Sequence, residues 1–112
     1  MKVAIIGSRN FKDEERAKFI IINLLNGYLI EKVITGGAPG PDTWAIEICK
    51  HKKVPCEVIR PIDSEKISYL YRNIEIITKA DKVLAFWDGE SRGTKFVIDY
   101  CKARKIPLEI IL

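Results

Sequence analysis

A chain of 112 residues fits one domain, residues 1-112, and its 47% hydrophobic content supplies a core, which excludes a disordered segment. Its apolar runs are only a few residues long, far below the roughly 20 needed to cross a bilayer, so no membrane role and a cytoplasmic protein are expected. The net charge of +4 is mild because 15 acidic residues are mixed among 19 basic ones; the densest basic run, Lys50 to Lys53, reads as a solvated helix end before it reads as a nucleic-acid surface.

Val3 to Ile6 is a continuous apolar strand. Ser8-Arg9-Asn10 ends it too early for a secretory leader. Asp13 to Tyr28 has helical spacing, with Ala17, Ile20, Ile21, Leu24, Leu25 and Tyr28 on one face. Lys32 to Thr35 is a second strand. Pro41 or Asp42 opens a second helix that carries Trp44, Ala45, Ile48 and Cys49 on its apolar side. Cys56 to Ile59 is the third strand. Ser64 suits the cap of a third helix, with Ile67, Leu70, Tyr71, Ile74 and Ile77 in register. Val83 to Trp87 is the fourth strand. Ser91 suits the cap of a fourth helix, with Phe96, Val97, Tyr100, Cys101 and Arg104 along one face. Leu108 to Leu112 is the last strand.

Strands without polar alternation indicate a sheet buried on both faces, and strands joined by helices must run parallel. The expectation is an α/β fold: a three-layer, doubly wound Rossmann-like domain with five parallel strands in the order 3-2-1-4-5. That order places the ligand crevice beyond the carboxyl ends of the first and fourth strands.

Three glycine breaks converge on that end. They are Gly7-Ser8-Arg9, Gly36-Gly37-Ala38 with Gly40, and Gly89 through Ser91 to Gly93-Thr94. Glycine permits a close backbone approach, and a following helix offers free N–H groups to an anion. Gly36, Gly37, Gly93 and Thr94 are candidates to cradle phosphate, and Arg9 to neutralise it. Gly40 is followed by Pro41-Asp42, which is no Walker A loop, and the third glycine of a GxGxxG fingerprint is missing. Asp42 suits a ribose hydroxyl or a helix cap. Arg72 and Asn73 flank an apolar stripe and can face the crevice or solvent. Trp87 ends a strand where a base can stack, whereas Trp44 reads as core. Asp88 and Glu90 are weak candidates for acid/base work, Asp88 being equally a turn residue. Cys49, Cys56 and Cys101 lack CxxC spacing and read as free buried thiols. With His51 the sole histidine, neither a metal site nor a cofactor is expected.

Ile6-Gly7-Ser8-Arg9 with Phe11, Thr35-Gly36-Gly37-Ala38 with Gly40 and Asp42, Arg72-Asn73, and Phe86-Trp87-Asp88-Gly89-x-Ser91-x-Gly93-Thr94 together resemble the SLOG superfamily, the Smf/DprA and LOG group. The resemblance covers nearly the whole chain and is nearest to the small single-domain YspA-like branch. It implies a Rossmann-like fold that binds nucleotides or nucleotide-derived ligands. LOG enzymes hydrolyse N-glycosidic bonds with a glutamate from a Pro-Gly-Gly-x-Gly-Thr-x-x-Glu segment; Val97 stands at that position here. The Smf branch binds single-stranded DNA. The expected function is a binding or sensor module for a nucleotide-type small molecule. An N-glycosidase or phosphoribohydrolase is the alternative, and single-stranded nucleic-acid binding through Lys50 to Lys53 and the aromatic residues is the third. A shallow crevice on so small a chain also suggests a homo-oligomer.

Overall fold

Strands and helices alternate without exception in the computed structural model, which describes residues 1–112. They are β1 (Lys2–Gly7), α1 (Glu14–Gly27), β2 (Lys32–Thr35), α2 (Pro41–Lys52), β3 (Cys56–Val58), α3 (Lys66–Lys79), β4 (Lys82–Phe86), α4 (Arg92–Arg104) and β5 (Leu108–Ile111). All strand pairs are parallel, in the order β3-β2-β1-β4-β5. The fold is the expected Rossmann-like one. No helix is long and apolar enough to cross a membrane.

The period-two pleat of the strands divides the core into two layers. Val3 and Ile5 of β1 and Leu84 and Phe86 of β4 face α1 and α2, meeting Ala17, Ile21, Leu24, Ala45 and Ile48. Ala4, Ile6 and Val83 face the other way, toward Ile76 and Ile77 of α3 and Val97 and Cys101 of α4. Phe86 is fully buried, and Phe11 packs edge-on against it at 5.5 Å between ring centroids. Burial on both faces holds for the central strands only. The edge strands β3 and β5 are partly open.

Helix ends follow local chemistry. Asp13 caps α1 by accepting from the Arg16 amide at 3.1 Å, and Ser91 caps α4 by accepting from the Thr94 amide at 3.3 Å. α2 and α4 close on Lys53 and Lys105, both left-handed with φ of 57°. The expected Ser64 cap of α3 does not form. Glu65 holds that position, and Asp63 instead accepts from the Glu65 amide at 2.9 Å and the Ser68 hydroxyl at 2.6 Å.

Three apolar residues expected to face the core do not. Tyr28 lies past the end of α1 and is exposed, as are Ile67 and Tyr71; the inner side of α3 carries Ser68, Asn73, Ile76 and Ile77. Cys49 and Cys101 are buried thiols, but Cys56 is only half-buried. Cys56 meets Cys49 at the junction of α2 and β3, and that hydrogen-bonding contact together with burial pushes the Cys49 thiol up.

Candidate functional site

Parallel strands gather every strand-to-helix loop at one end of the sheet, and the strand order reverses between β1 and β4. A crevice of about 200 Å³ opens there on the α3–α4 side. Gly7 and Arg9 from the first loop, Ala38 and Asp42 from the second, Arg72 and Asn73 from α3, and Ser91, Gly93 and Thr94 from the start of α4 line it.

Asp42 ties the first two loops together. Its Oδ1 accepts from the Gly7 amide at 3.0 Å, and its Oδ2 from the Gly36 and Ala38 amides at 3.1 and 3.3 Å. Gly40 holds the cap position of α2, so Asp42 caps neighbouring loops and not its own helix. Burial pushes its carboxyl above the usual carboxylate range, and the amides of Ala38, Gly7 and Gly36 pull the other way. The fully buried Thr35 Oγ1 lies beside this carboxylate without completing a hydrogen bond of its own. The Gly36 amide, expected to bind phosphate, is therefore already engaged.

The glycines of these loops make room for neighbouring groups. A Cβ on Gly7 would run into the Pro41 ring, and one on Gly36 into the Arg72 guanidinium at 2.7 Å. Gly37 turns with φ of 73° beside Val58 and Arg60, and Gly40 with φ of 99° against the Ser8 and Arg9 backbone. Gly36, Gly37 and Gly40 thus shape the second loop from behind the crevice.

Arg72 reaches across from α3. Its Nη1 donates to the Gly36 carbonyl at 2.8 Å and more weakly to the Ile59 carbonyl at 3.4 Å, while Nε donates to Asn73 Oδ1 at 2.9 Å. Burial lowers its pKa, Asp42 opposes that, and Arg60 adds to it. Asn73 lines the crevice with its Oδ1 occupied by Arg72. Arg9 is exposed on the rim and belongs to none of the ion pairs.

A hydroxyl chain joins the first loop to α4. Ser8 Oγ donates to Thr94 Oγ1 at 3.3 Å and accepts from the Asp88 amide at 3.1 Å, and Ser91 Oγ also donates to Thr94 Oγ1 at 3.3 Å. Ser8 is buried and braces the wall of the crevice without lining it.

Other candidates lie elsewhere. Trp87, Asp88 and Gly89 line a separate cleft of about 450 Å³ on the α1 side, with Phe11, Lys12 and Arg16. Asp88 Oδ1 accepts from the Glu90 and Ser91 amides at 2.9 and 2.8 Å, and those amides hold its carboxyl below the usual range. Asp88 is thus the turn residue of this loop. Glu90 is exposed and lines neither concavity. Asp42 is the single carboxylate on the crevice wall. Val97 is fully buried beneath it. Lys50 and Lys52 belong to the last turn of α2 and Lys53 is its cap, so this basic run sits at the amino end of the sheet, opposite the crevice.

The sequence pattern did not single out Tyr69 and Ile76, which complete the α3 wall. It also missed Arg60, which follows β3 and approaches Gly37 and Arg72. An arginine just past a strand in a parallel sheet, the pattern that marked Arg9, was the available signal.

No protein-family model matches the sequence, and no curated protein matches it. Among solved structures, the chain is similar to DNA processing protein A from Helicobacter pylori, a structure described for its single-stranded DNA binding mode. The TM-score is 0.75 at 22% identity, over 98% of this chain and 64% of that one. The likeness is one of fold, a DprA-like Rossmann domain, and the chain spans just under two thirds of that neighbour's length.

Proposed function

We propose that the crevice binds the phosphate end of a nucleotide or nucleotide-derived small molecule, and that the chain is a ligand-binding module of the small single-domain SLOG type. One observation carries this: the crevice wall offers donors without a free acceptor charge. Arg9, Arg72, Asn73 and Gly93 at the start of α4 line it, with Arg9 in no ion pair, while the sole carboxylate, Asp42, is engaged by three backbone amides. Donors with the positive end of a helix dipole suit phosphate. Hydrolysis would need a free acid or base on the crevice wall; Asp42 there is committed to three backbone amides, and neither Asp88 nor Glu90 reaches it.

Thermal melting against AMP, ADP, ADP-ribose and ribose 5-phosphate tests the proposal, with free base followed in the same samples. A ligand at 100 times its dissociation constant adds about 2.7 kcal/mol. The expected result is a rise in Tm without base release, lost in Arg9→Ala. Equal shifts in wild type and Arg9→Ala would place the ligand elsewhere, and no shift with any phosphate compound would overturn the proposal. Light scattering on the same samples tests a second copy of the chain as partner.

Single-stranded DNA is the second reading, favoured by the fold neighbour's described ligand and by Arg9, Lys12, Arg16 and Arg60 at the same end of the sheet. It requires oligonucleotide binding that weakens steeply with salt. A flat salt response would exclude it.

A further inference from the structure

The largest concavity is the cleft of about 450 Å³ on the α1 side, and its chemistry differs from that of the crevice. Its apolar wall is fixed in place. The Trp87 backbone amide donates to the Ile111 carbonyl at 2.8 Å and its indole Nε1 to the Ser91 carbonyl at 3.1 Å. The polar edge of the indole is therefore satisfied within the protein, and the ring is left as a rigid half-buried surface. Phe11, held edge-on by Phe86, forms the other apolar side.

The polar wall is mixed. Asp13 and Asp88 each use Oδ1 to accept backbone amides, which leaves Oδ2 of each as an acceptor. Arg16 donates one Nη1 bond to the Leu112 carbonyl and keeps further donors, and Lys12 adds another. Two cations face two carboxylates, so the cleft has no net preference for an anion. It offers a flat apolar surface bordered by both donors and acceptors.

We infer that this cleft is a nucleobase subsite. A heteroaromatic ring stacks on Trp87, amino groups on its edge donate to Asp88, and ring carbonyls accept from Arg16 or Lys12. A phosphate gains no net attraction there, because Asp13 and Asp88 offset Lys12 and Arg16. The crevice is the converse, rich in donors with no free carboxylate. Ser8 links the two linings, since its hydroxyl accepts from the Asp88 amide and donates to Thr94. The inference deepens the proposed function by naming the ligand's base end, yet a phosphate-free nucleoside tests it alone.

The experiment uses Trp44→Phe, which leaves Trp87 as the sole tryptophan. Trp44 is half-buried and packs against the α1–α2 core, so phenylalanine is a mild change there. Adenosine, cytidine, inosine and uridine are titrated one by one while Trp87 emission and the amide NMR signals of Gly89 and Gly93 are followed; ribose 5-phosphate is titrated separately. Nucleosides are expected to quench Trp87 saturably and shift Gly89, whereas ribose 5-phosphate shifts Gly93 alone. Trp87→Leu should weaken nucleoside binding about tenfold or more, read at Gly89. Asp88→Asn keeps one oxygen for the turn but replaces the other acceptor by a donor, so it should move preference from adenosine toward inosine. Nucleosides that leave Trp87 and Gly89 unchanged at millimolar concentration would overturn the inference, even if ribose 5-phosphate still shifts Gly93. Nucleoside binding read at Gly89, with Gly93 silent toward ribose 5-phosphate, would instead remove the phosphate crevice and leave the base cleft standing.

Discussion

Arg72 occupies the space that a side chain on Gly36 would need. Its Nη1 donates to the Gly36 carbonyl at 2.8 Å, and a Cβ at position 36 would stand 2.7 Å from the same nitrogen. The second loop and α3 therefore meet through a guanidinium packed on bare backbone, and the glycine is what allows it.

Gly36→Ala is expected to expel the Arg72 guanidinium without unfolding the chain, because the clash falls on the far end of a flexible side chain. The loss is the Gly36 and Ile59 hydrogen bonds, about 1–2 kcal/mol. Gly7→Ala meets the Pro41 ring and the Phe86 Cβ at 3.1 Å, which cannot swing aside. Melting curves should rank wild type above Gly36→Ala and both well above Gly7→Ala. The reverse order for the two variants would mean that Arg72, and not Pro41, is the rigid neighbour.

Asp42→Asn should be costly although it removes a buried charge. Asparagine offers one oxygen where Asp42 serves three amides, and its NH₂ group must oppose either the Gly7 amide or the Gly36 and Ala38 amides. Leaving buried donors unmet costs about 1–3 kcal/mol each. The expected signature is a lowered Tm with faster amide exchange at Gly7, Gly36 and Ala38. A variant as stable as wild type would show that water satisfies those amides.

These two sites mark where the sequence was readable and where it was not. Val3 to Ile6 and Val83 to Trp87 read as strands because residues buried on both faces leave no polar alternation, and parallel pairing follows from the helical crossovers, although β4 ends at Phe86. Asp42 reads from the sequence as a cap or ribose ligand, since spacing cannot show that three amides from two loops converge on it. Ile67 and Tyr71 kept helical spacing yet face solvent, because periodicity finds a face and not what covers it. Trp87 stands at the expected end of the sheet, but just past β4 it lines the α1-side cleft instead of the crevice, which sequence spacing cannot show.

Glu57 should make stability fall in acid. It sits on β3 between Lys32 and Lys79, 2.8 Å from each, and those hydrogen bonds pull its carboxyl down to about 2 from the ordinary 4.5. A depressed folded pKa contributes stability that is fully present above 4.5 and is lost as pH falls toward about 2. Glu57→Gln should therefore melt below wild type at pH 6 and together with it at the acid limit. A gap that does not change with pH would assign the effect to packing.

Lys53→Gly and Lys105→Gly are expected to stabilise the chain. Both lysines close their helices in the left-handed region at φ of 57°, with cap amides bonded to the carbonyl of Cys49 or Cys101. Glycine adopts that conformation without the Cβ penalty of about 1 kcal/mol. The gain is partly offset by the greater freedom of glycine in the unfolded chain. A rise in Tm for each variant, additive in the pair, is the expected outcome; a fall would show that the lysine side chains contribute more than the strain costs.

Val97→Glu tests whether a carboxylate at this position can serve the crevice at all. Val97 is fully buried in the apolar layer between the sheet and helices α3 and α4, one turn along α4 from Thr94, and it is absent from the crevice wall. A glutamate there enters the apolar layer between α4 and the sheet with no cation to pair it, at a cost of about 3–5 kcal/mol when ionised. Burial would raise its pKa, so the folded state would bind the proton more tightly than the unfolded one. Stability must then fall as pH rises past the ordinary glutamate value of about 4.3. The variant should be least damaged in acid and should lose ground to wild type steadily toward pH 8, while Val97→Gln shows a deficit that does not vary with pH. A Val97→Glu protein that melts like wild type at neutral pH would place the carboxylate in water, and so open the crevice floor to this position.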